Sequence, residues 1–208
     1  MKQVITNEEL KSVMAEAINL LCDTVSKTLG PSGNNIIINN DELSPFITND
    51  GVTIANSIES SDVRINTILE LAKEAALKTN ELVGDGTTTT LVLLQGIFNE
   101  GLKVIANYNP LILKKELTNT LDYVLKELDK LKRIPTKDDL ISIASISAND
   151  YELGEFLADV FLIMHTKNAI KIEESPSDKT FFEVKKGYSL DIDNVTSLYF
   201  KNQNEITV

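Results

Sequence analysis

The chain has one cysteine, one histidine, no tryptophan and only five prolines, and these shortages narrow its chemistry before any pattern is read. A single cysteine, Cys22, excludes an internal disulfide. With His165 as the only imidazole, a cysteine-based zinc centre or a Ser-His-Asp or Cys-His nucleophilic site would need these two residues to meet. No apolar run approaches the roughly 18 to 20 residues needed to span a bilayer. The opening MKQVITNEELK has neither the hydrophobic stretch of an export signal nor the Arg-rich face of an organelle signal. A reducing cytoplasmic setting without membrane contact is the expectation. Positive charge is also scarce: 20 Lys and Arg against 31 Asp and Glu leave a formal net charge of -11, which repels phosphate backbones. Lys114-Lys115, Lys130 to Arg133 and Lys185-Lys186 are scattered among acidic residues, so no nucleic-acid partner is expected.

What is present is 42% hydrophobic and 25% charged sequence in 208 residues, a balance suited to one large or two small globular domains and not to disorder. From Asn7, residues Leu10, Val13, Met14, Ala17, Ile18, Leu21 and Val25 recur at three- and four-residue spacing and predict a helix over about 7–29. About 22 residues at a 1.5 Å rise give a rod of roughly 33 Å. Thr6 followed by Glu9 predicts a capping box at its start, and Gly30-Pro31 its end. Two β-prone runs, 35–38 and 46–48, read as a small hairpin across a polar turn. A short helix is predicted over 52–58 and longer ones over 62–82, 88–107 and 111–132. The 62–82 helix is read with Ile65, Ile68, Leu69, Ala72, Ala75, Ala76 and Leu82 inward, and the 111–132 helix with a stripe of Leu113, Leu117, Leu121, Val124, Leu128 and Leu131. Ile134-Pro135 reads as a boundary. Beyond it come helices over 137–147 and 151–165, then strands over 169–174 and 180–185 and a possible third over 197–201.

Three strings carry candidate chemistry. Gly84-Asp85-Gly86-Thr87-Thr88-Thr89-Thr90 lies between two predicted helices and opens the second. Glycines free the backbone to present consecutive N–H groups, a helix N-terminus carries partial positive charge, threonine hydroxyls donate, and Asp85 offers the hard oxygen that a phosphate-bound Mg2+ requires. Thr28-Leu29-Gly30-Pro31-Ser32-Gly33 is a small-residue turn after a long helix, and Thr48-Asn49-Asp50-Gly51 holds a second carboxylate. Taken singly, each string reads more readily as a plain turn, cap or helix stop than as a ligand site. The common Gly-x-x-x-x-Gly-Lys-Ser/Thr phosphate loop is absent.

In order and spacing, VSKTLGPSGNNIII (25–38), ITNDGVTIANSIE (47–59), VGDGTTTTLVL (83–93), EGLKVIANYNPLILKKEL (100–117) and SISAN (145–149) closely resemble the 60 kDa chaperonin family of group I type. The resemblance covers nearly the whole chain and fades after about residue 150. It implies a mainly α, equatorial-type helical domain with a small β-hairpin, then a small α+β intermediate-type domain and the start of an apical-type domain. Residues 1–133 would be the first half of the ATP-binding equatorial domain, 134–186 the outgoing half of the intermediate domain, and 187–208 the truncated start of the apical domain.

By this matching Thr28, Leu29, Gly30 and Pro31 would line the nucleotide, Asp85 would ligate Mg2+, and Gly86, Thr87, Thr88 and Thr89 would hold the phosphates. Thr28 and Thr88 would help bind K+, and Asp50 would orient the attacking water. Asn49 stands where the family usually has lysine, which weakens charge neutralisation although its carbonyl could still serve an ion. Tyr199 and Phe200 match an aromatic pair that takes hold of unfolded clients, whereas Val195 and Leu198 depart from the usual Tyr and Pro. The implied partners are unfolded proteins, a co-chaperonin and further copies in a ring.

Family members run to well over twice this length. The return through the equatorial domain, with the principal hydrolytic carboxylate and part of the adenine and ribose pocket, would be missing from these 208 residues. Very low turnover by the chain alone is therefore expected, and so are several hundred Å² of uncovered apolar helix surface. Two other readings stand beside the chaperonin one: a shortened paralogue that keeps the loops as a binding or interaction module, and an unrelated helical adaptor with a Thr-rich cap.

Overall fold

The computed structural model describes residues 6–30, 32–39, 44–164 and 170–185. In chain order the elements are α1 (Asn7–Val25), a 3-10 turn (Ser26–Thr28), β1 (Ile36–Ile38), β2 (Phe46–Thr48), α2 (Gly51–Ser57), α3 (Val63–Val83), α4 (Thr87–Val104), α5 (Pro110–Leu131), α6 (Lys137–Ala148) and α7 (Tyr151–Met164). Two compact units meet in sequence at Lys130 and Leu131. Among the described residues no helix is long and apolar enough to cross a membrane.

The first unit is built on α1, α3 and α4, which pack on one another, with α2 against all three. Their apolar stripes supply one core: Val13, Ala17, Ile18, Leu21, Cys22 and Val25 from α1, Ile54 and Ala55 from α2, Ile65, Leu69, Ala72 and Ala76 from α3, and Leu91 from α4. Each long helix thereby removes a full apolar face from water, the dominant favourable term in folding. Burial and the neighbouring Asp23 charge push the Cys22 thiol up to about 11, against a smaller lowering by a hydrogen bond with the Gln95 backbone, so this cysteine behaves as a small core hydrophobe. β1 and β2 pair antiparallel with Ile37 opposite Ile47, the hairpin read from the sequence.

Several expectations are corrected. The capping box at the start of α1 is absent: the Thr6 side chain makes no cap hydrogen bond. Glu9 instead accepts from Arg64 Nη1 at 2.7 Å, a partner 55 positions away that no local motif announces. The α-helix stops at Val25, and residues 26–28 tighten into the 3-10 turn, a common way for the last turn to end. On α3, Ala75 and Leu82 face solvent, and Lys73, only 4% exposed, takes an inward place with its Nζ 2.9 Å from Glu70 Oε1. The stripe on α5 is present as a pattern but buries nothing: α5 contains no buried residue, and Leu117, Leu121, Val124, Leu128 and Leu131 are all exposed.

In the second unit α6 and α7 form a packed helical pair. α6 opens with a true capping box: Thr136 Oγ1 accepts from the Asp139 amide, and Asp139 accepts from the Thr136 amide. Asn149 in the left-handed region closes the helix. The strands expected over 169–174 and 180–185 are not formed at the described residues 170–174 and 180–185. An alternating pattern becomes a strand only where a neighbouring strand accepts its hydrogen bonds, and none lies alongside among the described residues. Phe182 instead sets its ring edge-on to Phe156 of α7 at 5.6 Å. The possible strand at 197–201, the aromatic pair Tyr199 and Phe200, and His165 and Pro31 lie outside the described residues.

Candidate functional site

Three chain turns gather beside the N-terminus of α4. The first is the 3-10 turn that ends in Thr28, which packs on α4. Thr28 Oγ1 donates to the Val25 carbonyl at 2.8 Å. Gly33 N donates to the Gly30 carbonyl at 2.9 Å and Asn34 N to the Lys27 carbonyl at 2.7 Å, folding 27–34 into a tight loop. Gly30 has φ +77°, and a Cβ on Gly33 would overlap the Thr28 carbonyl, so both glycines are required by the shape of the loop. Leu29 is 48% exposed at its rim.

The second turn is the start of α2. Asp50 is its N-cap, with Oδ2 accepting from the Thr53 amide at 2.8 Å and from the Thr53 hydroxyl. Partial burial pushes the Asp50 carboxyl up, but the hydrogen bonds from Thr53 and from the Val52 amide outweigh it, so its pKa lies below the usual carboxylate range. Asn49 is exposed beside it. Gly51 comes so close to α4 that a Cβ there would overlap Thr88 Oγ1 and lie 3.5 Å from the Thr88 amide nitrogen. This contact brings the Thr48–Gly51 and Gly84–Thr90 strings together.

The third turn is Gly84-Asp85-Gly86. Gly84 ends α3 at φ +79° and Gly86 precedes α4 at φ +94°, a left-handed pair that reverses the chain between two helices. The Asp85 carboxylate is exposed and accepts from the Gly86 amide at 2.6 Å. The N-cap Gly86 has no side chain to offer, and among the described residues no side chain accepts from the Thr87, Thr88 or Thr89 amides. Thr87 is 5% exposed, and its Oγ1 is buried without a hydrogen-bond partner among the described residues. A buried hydroxyl left unpaired costs about 1–3 kcal/mol, and native proteins keep few of them. Thr88 is half-buried, Thr89 is exposed, and the Thr90 hydroxyl meets that of Thr79 on α3 at 3.2 Å.

Unused amides, an orphaned hydroxyl and an exposed carboxylate at one helix start suit an anion that carries its own cation. The sequence reading missed Thr53, although Asp followed three residues later by Thr at a helix start is a readable cap signal, and it missed the Thr79–Thr90 pair, which links two helices and has no local signature. An apolar cavity of about 400 Å³ between α4 and α5 is lined by Ile97, Ile105, Leu113, Leu117 and Leu121 and includes none of these loop residues.

The model of the TCP-1/cpn60 chaperonin family matches residues 21–203. Among solved structures, the chaperonin gp146 from the bacteriophage EL 2 (Pseudomonas aeruginosa), crystallised in the presence of ATP-BeFx, aligns at 26% identity and a TM-score of 0.66 over 76% of this chain and 28% of that one. A second crystal form of it gives 25% identity and 0.67, over 77% and 29%. A group III chaperonin in the open state shares the fold at 23% identity and a TM-score of 0.63, over 76% and 32%. The chain therefore spans under a third of the length of these structures. With 183 of its 208 residues inside the family match, the chain belongs to the TCP-1/cpn60 chaperonin family.

Proposed function

We propose that the chain is the N-terminal portion of an ATP-dependent chaperonin and that the start of α4 binds the phosphates of Mg-ATP. The observation that carries this reading is the buried, unpartnered Thr87 hydroxyl behind the Gly84-Asp85-Gly86 turn. Gly86, Thr87, Thr88 and Thr89 hold the phosphates through amides and hydroxyls, and Asp85 ligates Mg2+. The metal, when bound, neutralises phosphate charge and polarises the transferring group. Thr28, Leu29, Gly30 and Pro31 line the nucleotide, with the Thr28 and Thr88 oxygens toward K+. Asn49 offers only a carbonyl where a cation would help. Asp50, held as a carboxylate, orients water. In the complete ring assembly, working in the cytoplasm with a co-chaperonin, Tyr199 and Phe200 take hold of unfolded clients. The gp146 structure obtained with ATP-BeFx supports an adenine nucleotide as the ligand class.

Calorimetric titration of Mg-ATP into the chain tests this. Asp85→Ala is expected to weaken binding at least roughly tenfold, the loss of one charge-assisted ligand. Equal, negligible heats for the chain and the variant reject the reading. A second reading, a shortened paralogue that binds nucleotide without cycling, is favoured by one observation: Asp50 spends an oxygen capping α2 on Thr53. Binding without detectable hydrolysis in a single-turnover assay would select it.

A further inference from the structure

The core seam between α1 and α4 is apolar, with Leu21, Val25 and Leu91 fully buried. Apolar contact is non-directional and leaves the axial register of two helices loosely specified. One polar cluster crosses this seam. Gln95 Nε2 of α4 donates to Asn19 Oδ1 at 2.9 Å and to Asp23 Oδ1 at 2.7 Å, both on α1, and Asn99 Nδ2 donates to Asn19 Oδ1 at 3.0 Å. The pairing climbs α1 as it descends α4, so the two helices run antiparallel. The C-terminal end of α1, which leads into Thr28 and Gly30, therefore lies beside the N-terminal end of α4, which carries Thr87–Thr89. At about 1.5 Å per residue, Gln95 lies roughly 9–12 Å along the helix axis from Thr87–Thr89, and Asp23 roughly 8 Å from Thr28.

We propose that Gln95 is a positioning residue: by bridging Asn19 and Asp23 it locks the register of α4 against α1, so that the Thr28–Gly30 loop and the Thr87–Thr89 turn face one ligand at a fixed separation. Hydrogen bonds are directional and one acceptor here is a carboxylate, so a shift of one helix along the other weakens both bonds, the charge-assisted one included. Small displacements between groups that must converge on one ligand weaken its binding disproportionately. This role rests on the nucleotide reading above, and the test keeps the two separable.

Mg-ATP affinity by calorimetry and the urea midpoint are measured on the full chain for Gln95→Leu, Asp23→Ala and Asp23→Asn. Asp23 is exposed, so its variants report even if Gln95→Leu fails to fold. Asp23→Ala is expected to raise the Kd about tenfold. Asp23→Asn, which keeps an acceptor oxygen for Gln95, is expected to recover most of that affinity. A lowered midpoint with unchanged Kd in Asp23→Ala, or no recovery in Asp23→Asn, overturns the positioning role while leaving the nucleotide site intact. An unmutated chain that binds no Mg-ATP removes both.

Discussion

Helices α1 and α5 are written in the same language and end in opposite environments. Each is a long amphipathic rod with apolar residues at three- and four-residue spacing, yet α1 has Ala17, Leu21, Cys22 and Val25 entirely out of water, while α5 buries no residue at all. The difference is not amphipathicity. α1 meets α3 and α4, whose own stripes complement it, and α5 leans an open apolar groove toward α4 without closing it. A stripe therefore states which face a helix would bury, and only a neighbour decides whether it does.

Paired truncations would break the comparison most decisively. Leu21→Ala removes three carbon atoms from a site with no solvent access, and a loss of about 2–5 kcal/mol in urea unfolding is expected. Leu121→Ala, at a position 55% exposed, is expected to change stability by less than about 0.5 kcal/mol. Similar losses at the two sites would mean that the α5 face is covered in solution and that the contrast drawn here is false.

The same contrast explains what could be read before the structure. Helix positions follow from local periodicity, so the seven α-helices of the described residues were legible to within a few residues, as was the Ile37–Ile47 hairpin. Features decided by distant partners were not. Glu9 abandons a local cap for Arg64, Lys73 goes inward where Ala75 was expected, and the alternating residues after 169 find no strand to pair with among those described. The candidate site divides along the same line. Glycines and threonines marked the three turns, because left-handed φ values and helix starts are local matters. The approach of Gly51 to Thr88 and the isolation of the Thr87 hydroxyl come from packing between elements, which no string of letters displays.

Thr87 sharpens the comparison at a smaller scale, since it is as buried as the α1 core but polar and unpaired. Thr87→Val replaces that hydroxyl with a methyl of nearly the same volume. A gain of about 1 kcal/mol in urea unfolding is expected, together with weaker Mg-ATP binding. Loss of stability on this substitution would mean that the hydroxyl already has a partner in the free chain, and the strongest support for the phosphate site would go with it.

The smallest effect lies in the charges. α1 is tied to α3 by Arg64, which reaches Glu9 at 2.7 Å while also holding Asp62, whereas the Lys130–Glu127 pair on α5 joins neighbours on one helix. The hydrogen bonds from the Arg64 side chain and amide hold the Asp62 carboxyl down to about 2, from an ordinary 3.8. A carboxyl depressed on folding adds stability that is complete above its unfolded pKa and is lost as pH falls through its folded one. Asp62 thus contributes at neutral pH and fades between about pH 4 and pH 2. Because both partners reach solvent, the contribution is small and salt-sensitive. Asp62→Asn is expected to flatten the acid limb of the thermal midpoint against pH in that window, and an unchanged limb would mean that Arg64 anchors α3 through Glu9 alone.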